Sequence, residues 1–184
     1  LDCRFDLGAP GWGQDDYRRA HLPGARYVHL ERELSGPCRP STGRHPLPDP
    51  QRLAADLAAR GVHRDSQVVA YDQGPGAYAA RLWWLLRWLG HARVAVLDGG
   101  LQAWLARDLP LEPGEQEVTR RHFRGAANPS LVLTSEEIVA NPGTLTGSIG
   151  VISEYPNIEE LMRKVGLRSE VMKSGRCKDL GNPT

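Results

Sequence analysis

One stretch of this chain combines residue types and spacing that could do chemistry: Asp72-Gln73-Gly74-Pro75-Gly76-Ala77. It lies between a short apolar run, Val68 to Tyr71, and a long one, Ala77 to Leu89. The short run is of the kind buried in a parallel sheet. The long run reads as a helix that is apolar almost all round and is stopped by Gly90. A loop that leaves the C-terminal end of a strand and enters a helix is where open α/β sheets place their ligands. Backbone N–H groups there point at one spot, and the helix dipole favours an anion. Gly74 and Gly76 are available for positive φ, while Pro75 removes one N–H donor. Arg81, one turn into the helix, could help hold an anion at this loop or form a salt bridge with a nearby carboxylate. Arg44 and His45, in a Pro/Gly/Ser loop, could face an anionic substrate or be solvated loop charges.

The thiols offer less. Cys3, Cys38 and Cys177 show no metal-ligand spacing and leave an odd count. Cys3 reads as an inert buried thiol in a strand, and Cys38 as an exposed loop residue. A reducing, cytoplasmic compartment suits this pattern. No metal or other cofactor is expected.

The elements that must position the loop follow in order. Leu1 to Phe5 reads as a first strand ended by Asp2 and Arg4, with loop to Gly13 and one or two helical turns at Asp15 to Arg19. A second strand is expected over Tyr27 to Leu30, then a long loop from Glu31 to Pro48. The next helix is clearly signalled: Asp49 as N-cap, Pro50 at N1, Leu53, Ala54, Leu57 and Ala58 as its apolar face, and Gly61 at its end. Val94 to Leu97 reads as a further buried strand, so residues 68–97 form a right-handed βαβ unit. Leu101 to Ala106 is a short helix, and Pro110 to Phe123 a polar linker. The sum is an α/β fold with a mainly parallel sheet flanked by helices on both faces. Trp83, Trp84 and Trp88 read as core aromatics rather than a stacking platform, because basic residues do not interleave them in a groove pattern.

Composition narrows the partners. The 184 residues are 40% hydrophobic with a formal charge of +1, which describes a globular protein without a nucleic-acid signature. No run approaches a transmembrane helix, no signal peptide precedes Leu1, and the abrupt start is that expected of a fragment. Residue usage changes sharply along the chain. Ile, Lys and Met are absent before residue 138, and every Trp and His lies before residue 123. Such a step suggests two coding histories joined near Ile138, with units at 1–125 and 138–184 and a linker at 126–137.

With these residues in view, Tyr71-Asp72-Gln73-Gly74-Pro75-Gly76-Ala77-Tyr78-Ala79-Ala80-Arg81-Leu82-Trp83-Trp84, followed by Val96-Leu97-Asp98-Gly99-Gly100-Leu101-Gln102-Ala103-Trp104, resembles the first domain of tandem rhodaneses, the thiosulfate and 3-mercaptopyruvate sulfurtransferases. The resemblance covers residues 1–137. His21-Leu22-Pro23-Gly24-Ala25, Gly43 to Pro48 and Asn128 to Glu137 also look like that family. His21 could contribute to a site at the domain interface, or be a turn histidine bonded to nearby backbone. A catalytic rhodanese domain opens its loop with the cysteine that carries the persulfide, whereas here that position is Asp72. A carboxylate can accept the loop's hydrogen bonds but cannot carry transferable sulfur. The resemblance is therefore to the non-catalytic half, whose implied partners are a small sulfur-donor anion and an absent second rhodanese domain.

Beyond the junction, Asn141-Pro142-Gly143-Thr144-Leu145-Thr146-Gly147-Ser148-Ile149-Gly150-Val151-Ile152 and Lys173-Ser174-Gly175-Arg176-Cys177-Lys178-Asp179 resemble the signal peptide peptidase A family of serine–lysine peptidases. By position Lys178 corresponds to the general base, with Cys177 where the family often has Tyr. The nucleophile's Ser-Gly-Gly turn is replaced by Gly125-Ala126-Ala127-Asn128, which implies no peptidase chemistry. Asn157 and Glu160 form a capping box for a helix over 157–165, and strands are expected at Ile149–Ile152 and Ser169–Met172. This incomplete C-terminal α/β segment is expected to pack loosely. Three readings follow: a sulfurtransferase-family chain lacking its cysteine, a rhodanese-like module whose Asp72 loop docks a partner or cation, and a peptidase fragment without a nucleophile.

Overall fold

Asp2 is the centre of the sheet. Its N–H donates to the Arg26 carbonyl and its carbonyl accepts from Val28 N–H, both at 2.9 Å. On the other side Cys3 N–H donates to the Tyr71 carbonyl at 2.8 Å, and Tyr71 N–H donates to the Leu1 carbonyl at 3.1 Å. β1 (Val68–Ala70) then pairs in parallel with β2 (Val94–Val96), Val68 opposite Val94. The spatial order is thus 26–28, 1–3, 68–71 and 94–97, with all pairings parallel. This computed structural model describes residues 1–133 and the backbone of 172–175 and 178–180, and the chain divides into two units, Leu1–Leu133 and Thr134–Thr184.

The strands expected at Leu1–Phe5 and Tyr27–Leu30 are shorter than the sequence suggested, reduced to parallel bridges around Asp2. Side chains take the backbone donors that would have extended the first. Arg4 N–H bonds the Asp2 carboxylate at 3.0 Å, and Phe5 N–H bonds Gln73 Oε1 at 3.2 Å. After His29 the chain turns instead, with Glu33 and Leu34 N–H both on the His29 carbonyl.

Successive strand residues point to opposite faces, and the core divides accordingly. Cys3, Val28, Val68 and Ala70 join one cluster with Leu53 and Leu57 of α2 (Pro50–Ala59) and Leu82, Leu85 and Leu86 of α3 (Ala77–Trp88). Their neighbours Tyr27 and Tyr71 join a second cluster with Tyr17 of α1 (Trp12–Arg19) and Leu101 of α4 (Gly100–Leu105). Helices therefore flank both faces. The first cluster is the larger, and at about 1.5–3 kcal/mol per fully buried aliphatic side chain it dominates the unit's hydrophobic stabilisation. The second covers only the C-terminal end of the strands. Val69 and Val96, expected to be buried, are 42% and 37% exposed: Val69 lies on the second face beyond that cover, and Val96 on the outer strand β2.

Local chemistry explains the helix ends. Asp49 caps α2 by accepting from Arg52 N–H at 2.8 Å, with Pro50 in the first turn. α1 begins at Trp12, three residues earlier than expected, because Gly13 lets the helix lie against the first strand. A Cβ there would sit 1.9 Å from the Arg4 carbonyl oxygen. α4 starts at Gly100 rather than Leu101. Residues 110–123, expected to be a linker, are bonded along the unit's surface. Glu112 and His21 exchange both backbone hydrogen bonds at 2.9 Å, Gly114 N–H reaches the Arg18 carbonyl, Arg121 N–H the Ala58 carbonyl, and Phe123 is buried.

In the second unit, β3 (Met172–Gly175) and β4 (Lys178–Leu180) form an antiparallel hairpin with a register shift between Met172 and Gly175. Of the strand expected at Ser169–Met172, Met172 begins β3 and the rest lies outside the described residues. So do the expected helix at 157–165 and the strand at Ile149–Ile152.

Candidate anion-binding loop

Asp72 follows Tyr71 directly and is fully buried. Its Oδ1 accepts from Gly74 N–H at 2.9 Å and Gly76 N–H at 3.0 Å. Its Oδ2 accepts from Tyr78 N–H at 3.0 Å and Ala79 N–H at 3.3 Å. The carboxylate thus folds back into the ring of donors made by its own loop and the first turn of α3. Gly76 makes this possible as the N-cap of α3, at φ 81°, a left-handed conformation that glycine adopts without steric cost. Pro75 contributes no donor, and Gln73 and Ala77 are not among the described donors to the carboxylate.

Two clamps hold the loop. The Gln73 side-chain amide pairs with the Phe5 peptide like a short piece of strand: Nε2 donates to the Phe5 carbonyl at 2.6 Å and Oε1 accepts from Phe5 N–H. From the other side Leu101 N–H donates to the Asp72 carbonyl at 2.9 Å. Gly100 is pressed against that same carbonyl, where a Cβ would come within 2.7 Å. Tyr78 packs edge-on against Phe5, with centroids 5.7 Å apart. Burial pushes its phenol pKa up, and the negative charges of Asp6 and Asp72 add to that.

The remaining candidates lie apart from this ring. Arg81 Nε donates to the Leu34 carbonyl at 2.9 Å, and Nη2 to Ser35 Oγ and the carbonyls of His45 and Pro46. It ties down the Glu31–Pro48 loop, using neutral acceptors, and burial lowers its pKa. Arg44 Nη2 donates to the Leu7 carbonyl at 3.0 Å in an exposed setting. His21 is buried and stacked on Tyr17 at 4.1 Å, with Nδ1 2.8 Å from the Tyr17 carbonyl oxygen and Nε2 3.3 Å from Gln116. Cys3 is buried, and desolvation pushes its thiol pKa well above the ordinary range, so it holds no reactive thiolate. Cys38 is exposed. Lys178 opens β4, paired with Gly175. Among the described residues no group of three His, Cys, Asp or Glu could hold a metal ion, and no helix is long and apolar enough to cross a membrane.

Sequence reasoning missed two features. The first is the pair of donors at Tyr78 and Ala79, which lie past the loop; an aspartate four residues before a helix N-cap glycine was the available signal. The second is a buried polar network beneath the loop. Arg4 Nη2 meets Asp2 Oδ2 at 2.7 Å and the Ala20 carbonyl at 2.7 Å, Nη1 meets Asp16, and Tyr71 Oη donates to Asp2 Oδ2 at 2.6 Å. Opposite charges two apart in a strand share a face, which was its signal. Burial alone would lower the Arg4 pKa, but the hydrogen bonds and charge of Asp2 outweigh it and raise it.

The cradle at a βα turn, the parallel order and the paired clusters meet their counterpart in known proteins. The rhodanese-like domain family matches residues 1–107. This chain belongs to the rhodanese family. One relative of this rhodanese chain is the Pseudomonas aeruginosa protein named "Probable 3-mercaptopyruvate sulfurtransferase", 51% identical over 145 residues, covering 78% of this chain and 51% of the relative. Among solved structures, a 3-mercaptopyruvate sulfurtransferase from Leishmania major aligns with a TM-score of 0.62 at 32% identity, covering 68% of this chain and 36% of that one. A 3-mercaptopyruvate sulfotransferase from Escherichia coli, whose structure is described as having the rhodanese fold, aligns at 0.59 and 34%, covering 70% and 50%. The chain spans about half the length of the curated relatives it matches. Peptidase family S49 matches residues 130–184, the segment whose Asn141-Pro142-Gly143 and Lys178 stretches resemble a serine–lysine peptidase.

Proposed function

We propose that this rhodanese unit is the non-catalytic first half of a two-domain sulfurtransferase. In the whole enzyme the substrate is a small sulfur-donor anion, thiosulfate or 3-mercaptopyruvate, and the transferred sulfur leaves from a cysteine in the second domain. The observation that carries this reading is the fully buried Asp72 carboxylate. It takes four backbone N–H groups of the ring in which a rhodanese cysteine would hold its persulfide. Oxygen at that position supplies no sulfur nucleophile. Catalysis therefore depends on the partner domain, and this unit contributes scaffold and one wall of the interface.

The reading in which the loop docks a cation has less support. Each oxygen of Asp72 already accepts two N–H groups, which occupy the lone pairs a metal or ammonium ion would need. A peptidase function for the S49-like segment lacks its Ser-Gly-Gly nucleophile turn, so a serine-reactive probe should leave the chain unlabelled. The decisive assay is sulfur transfer from thiosulfate and from 3-mercaptopyruvate to cyanide, with persulfide sought by intact-mass spectrometry. No turnover and no added sulfur are expected, and Asp72→Cys alone should restore little because Pro75 withholds a donor. Turnover abolished by changing Cys3 or Cys38 would overturn the proposal and reveal a relocated nucleophile.

A further inference from the structure

The residues leading into β1 and β2 lie at the N-terminal edge of the parallel pair, the opposite end of the strands from Asp72. There Arg64 and Asp65, the turn from Gly90 to Arg93, and His122 to Arg124 enclose a cleft of about 620 Å³. That volume lies within the range of small-molecule sites. Its charged lining is three arginines, Arg64, Arg93 and Arg124, against a single carboxylate, Asp65, and the imidazoles of His91 and His122 line it too. None of the three arginines, nor Asp65, forms an ion pair among the described residues.

Part of this lining is fixed. His91 is buried, with Nε2 3.0 Å from the Ser66 carbonyl oxygen, and its ring meets Phe123 edge-on at 5.6 Å. Arg93 Nη1 donates to the Asp65 carbonyl at 3.2 Å, which steadies the guanidinium while leaving its other donors free of any described partner. A helix C-terminus attracts a cation in its own last turn, and α3 has one, Arg87, lying over Trp83 at 5.5 Å. The cleft arginines come from three other segments, so the helix end does not account for their convergence. Several guanidinium groups around one concavity focus positive potential into it.

We propose that this cleft is a second anion site, built for a small polyanion of the polyphosphate class. Guanidinium forks match phosphate oxygens, and three arginines from separate segments offer more forks than a lone phosphate can engage but suit two or three linked ones. Phe123 is buried against His91 and offers no open face for a stacked base, so recognition runs through charge. The site is independent of the Asp72 loop and of the sulfurtransferase reading.

The test is a titration of the full chain with sodium tripolyphosphate, orthophosphate and sodium chloride at matched ionic strength, followed by amide NMR. Saturable shifts confined to residues 64–65, 90–93 and 122–124 are expected with tripolyphosphate, with orthophosphate much weaker and chloride silent. The double variant Arg93→Gln/Arg124→Gln changes two exposed side chains. Its fold is checked by circular dichroism, and it should bind about tenfold more weakly or worse. The control pair Arg39→Gln/Arg120→Gln should bind as the parent does. Shifts scattered over surface arginines, saturation at residues 74–79 instead, or equal affinity in both double variants would each overturn the proposal.

Discussion

Among the described residues two aspartates are fully buried, and each meets the cost of burial with its own set of partners. Asp72 uses four backbone N–H groups, Asp2 a guanidinium, a phenol and the Arg4 N–H. Asp72→Ala removes the acceptor for donors that water reaches poorly. At roughly 1–3 kcal/mol per unsatisfied buried group, eased by loop relaxation, it should cost about 2–4 kcal/mol. Asp72→Asn should recover little, because its NH2 turns a donor toward donors. Urea unfolding followed by tryptophan fluorescence checks both. Asp2→Ala takes the buried carboxylate from Arg4, leaving it the partly exposed Asp16, and leaves the Tyr71 hydroxyl without its acceptor, for which about 3 kcal/mol is expected. Asp15→Ala, in an exposed pair with Arg18, should leave the unfolding midpoint nearly unchanged. Buried acids on both faces of the sheet set an alkaline limit. Burial raises the pKa of Cys3 and of Tyr71, and Asp2 raises the latter further, from ordinary values of 9.0 and 10.0. The folded state keeps protons that the unfolded chain releases, so this stability is complete below those values and is lost as pH rises from them through the raised folded-state values. Tyr71→Phe should flatten the loss above about pH 10 in a stability–pH profile.

At the level of elements, Arg81 joins α3 to the 31–48 loop, and Gly13 joins α1 to the first strand. Arg81→Gln shortens the reach to four acceptors at once. Faster amide exchange at residues 35–47 is expected, while the Asp72 ring keeps its protection. Gly13→Ala drives a methyl into the Arg4 carbonyl and should displace α1, lowering the melting temperature steeply; Gly11→Ala meets nothing within 4 Å and should leave it nearly unchanged. How far such joints can be read from sequence depends on their range. The cap at Asp49, the glycine stop after α3 and the βαβ unit are local events written in consecutive residues, and the loop's place in the sheet followed from them. The finer geometry was not legible. That Asp72 turns inward, that Arg81 serves a loop 35 or more residues away and that Phe5 pairs with Gln73 are decided by long-range closure, to which periodicity is blind. Strand length failed for the same reason: Arg4 and Phe5 have a strand pattern but give their N–H groups to side chains.

Across the whole unit, residues 112–128 act as a strap, touching α1 through Gly114 and Arg18, α2 through Arg121 and Ala58, and α3 through Asn128 and Trp88. The family match ends at residue 107, short of these contacts. A chain cut after residue 107 loses buried Phe123, the Glu112 pairing with His21 and the edge of both clusters. It should show no cooperative thermal transition by circular dichroism, whereas residues 1–133 should retain one. The strap also fixes an order of events during synthesis. Contacts that span most of the unit cannot form until their later partner exists, and chains grow at roughly 5–20 residues per second. The first strand, made well before Leu101, therefore waits several seconds for its cover, with Tyr17 and Tyr27 exposed until Leu101 arrives and His91 open until Phe123 follows. The nascent chain is most vulnerable to aggregation in that interval, and only the emergence of Asn128 from the ribosome brings it to a close.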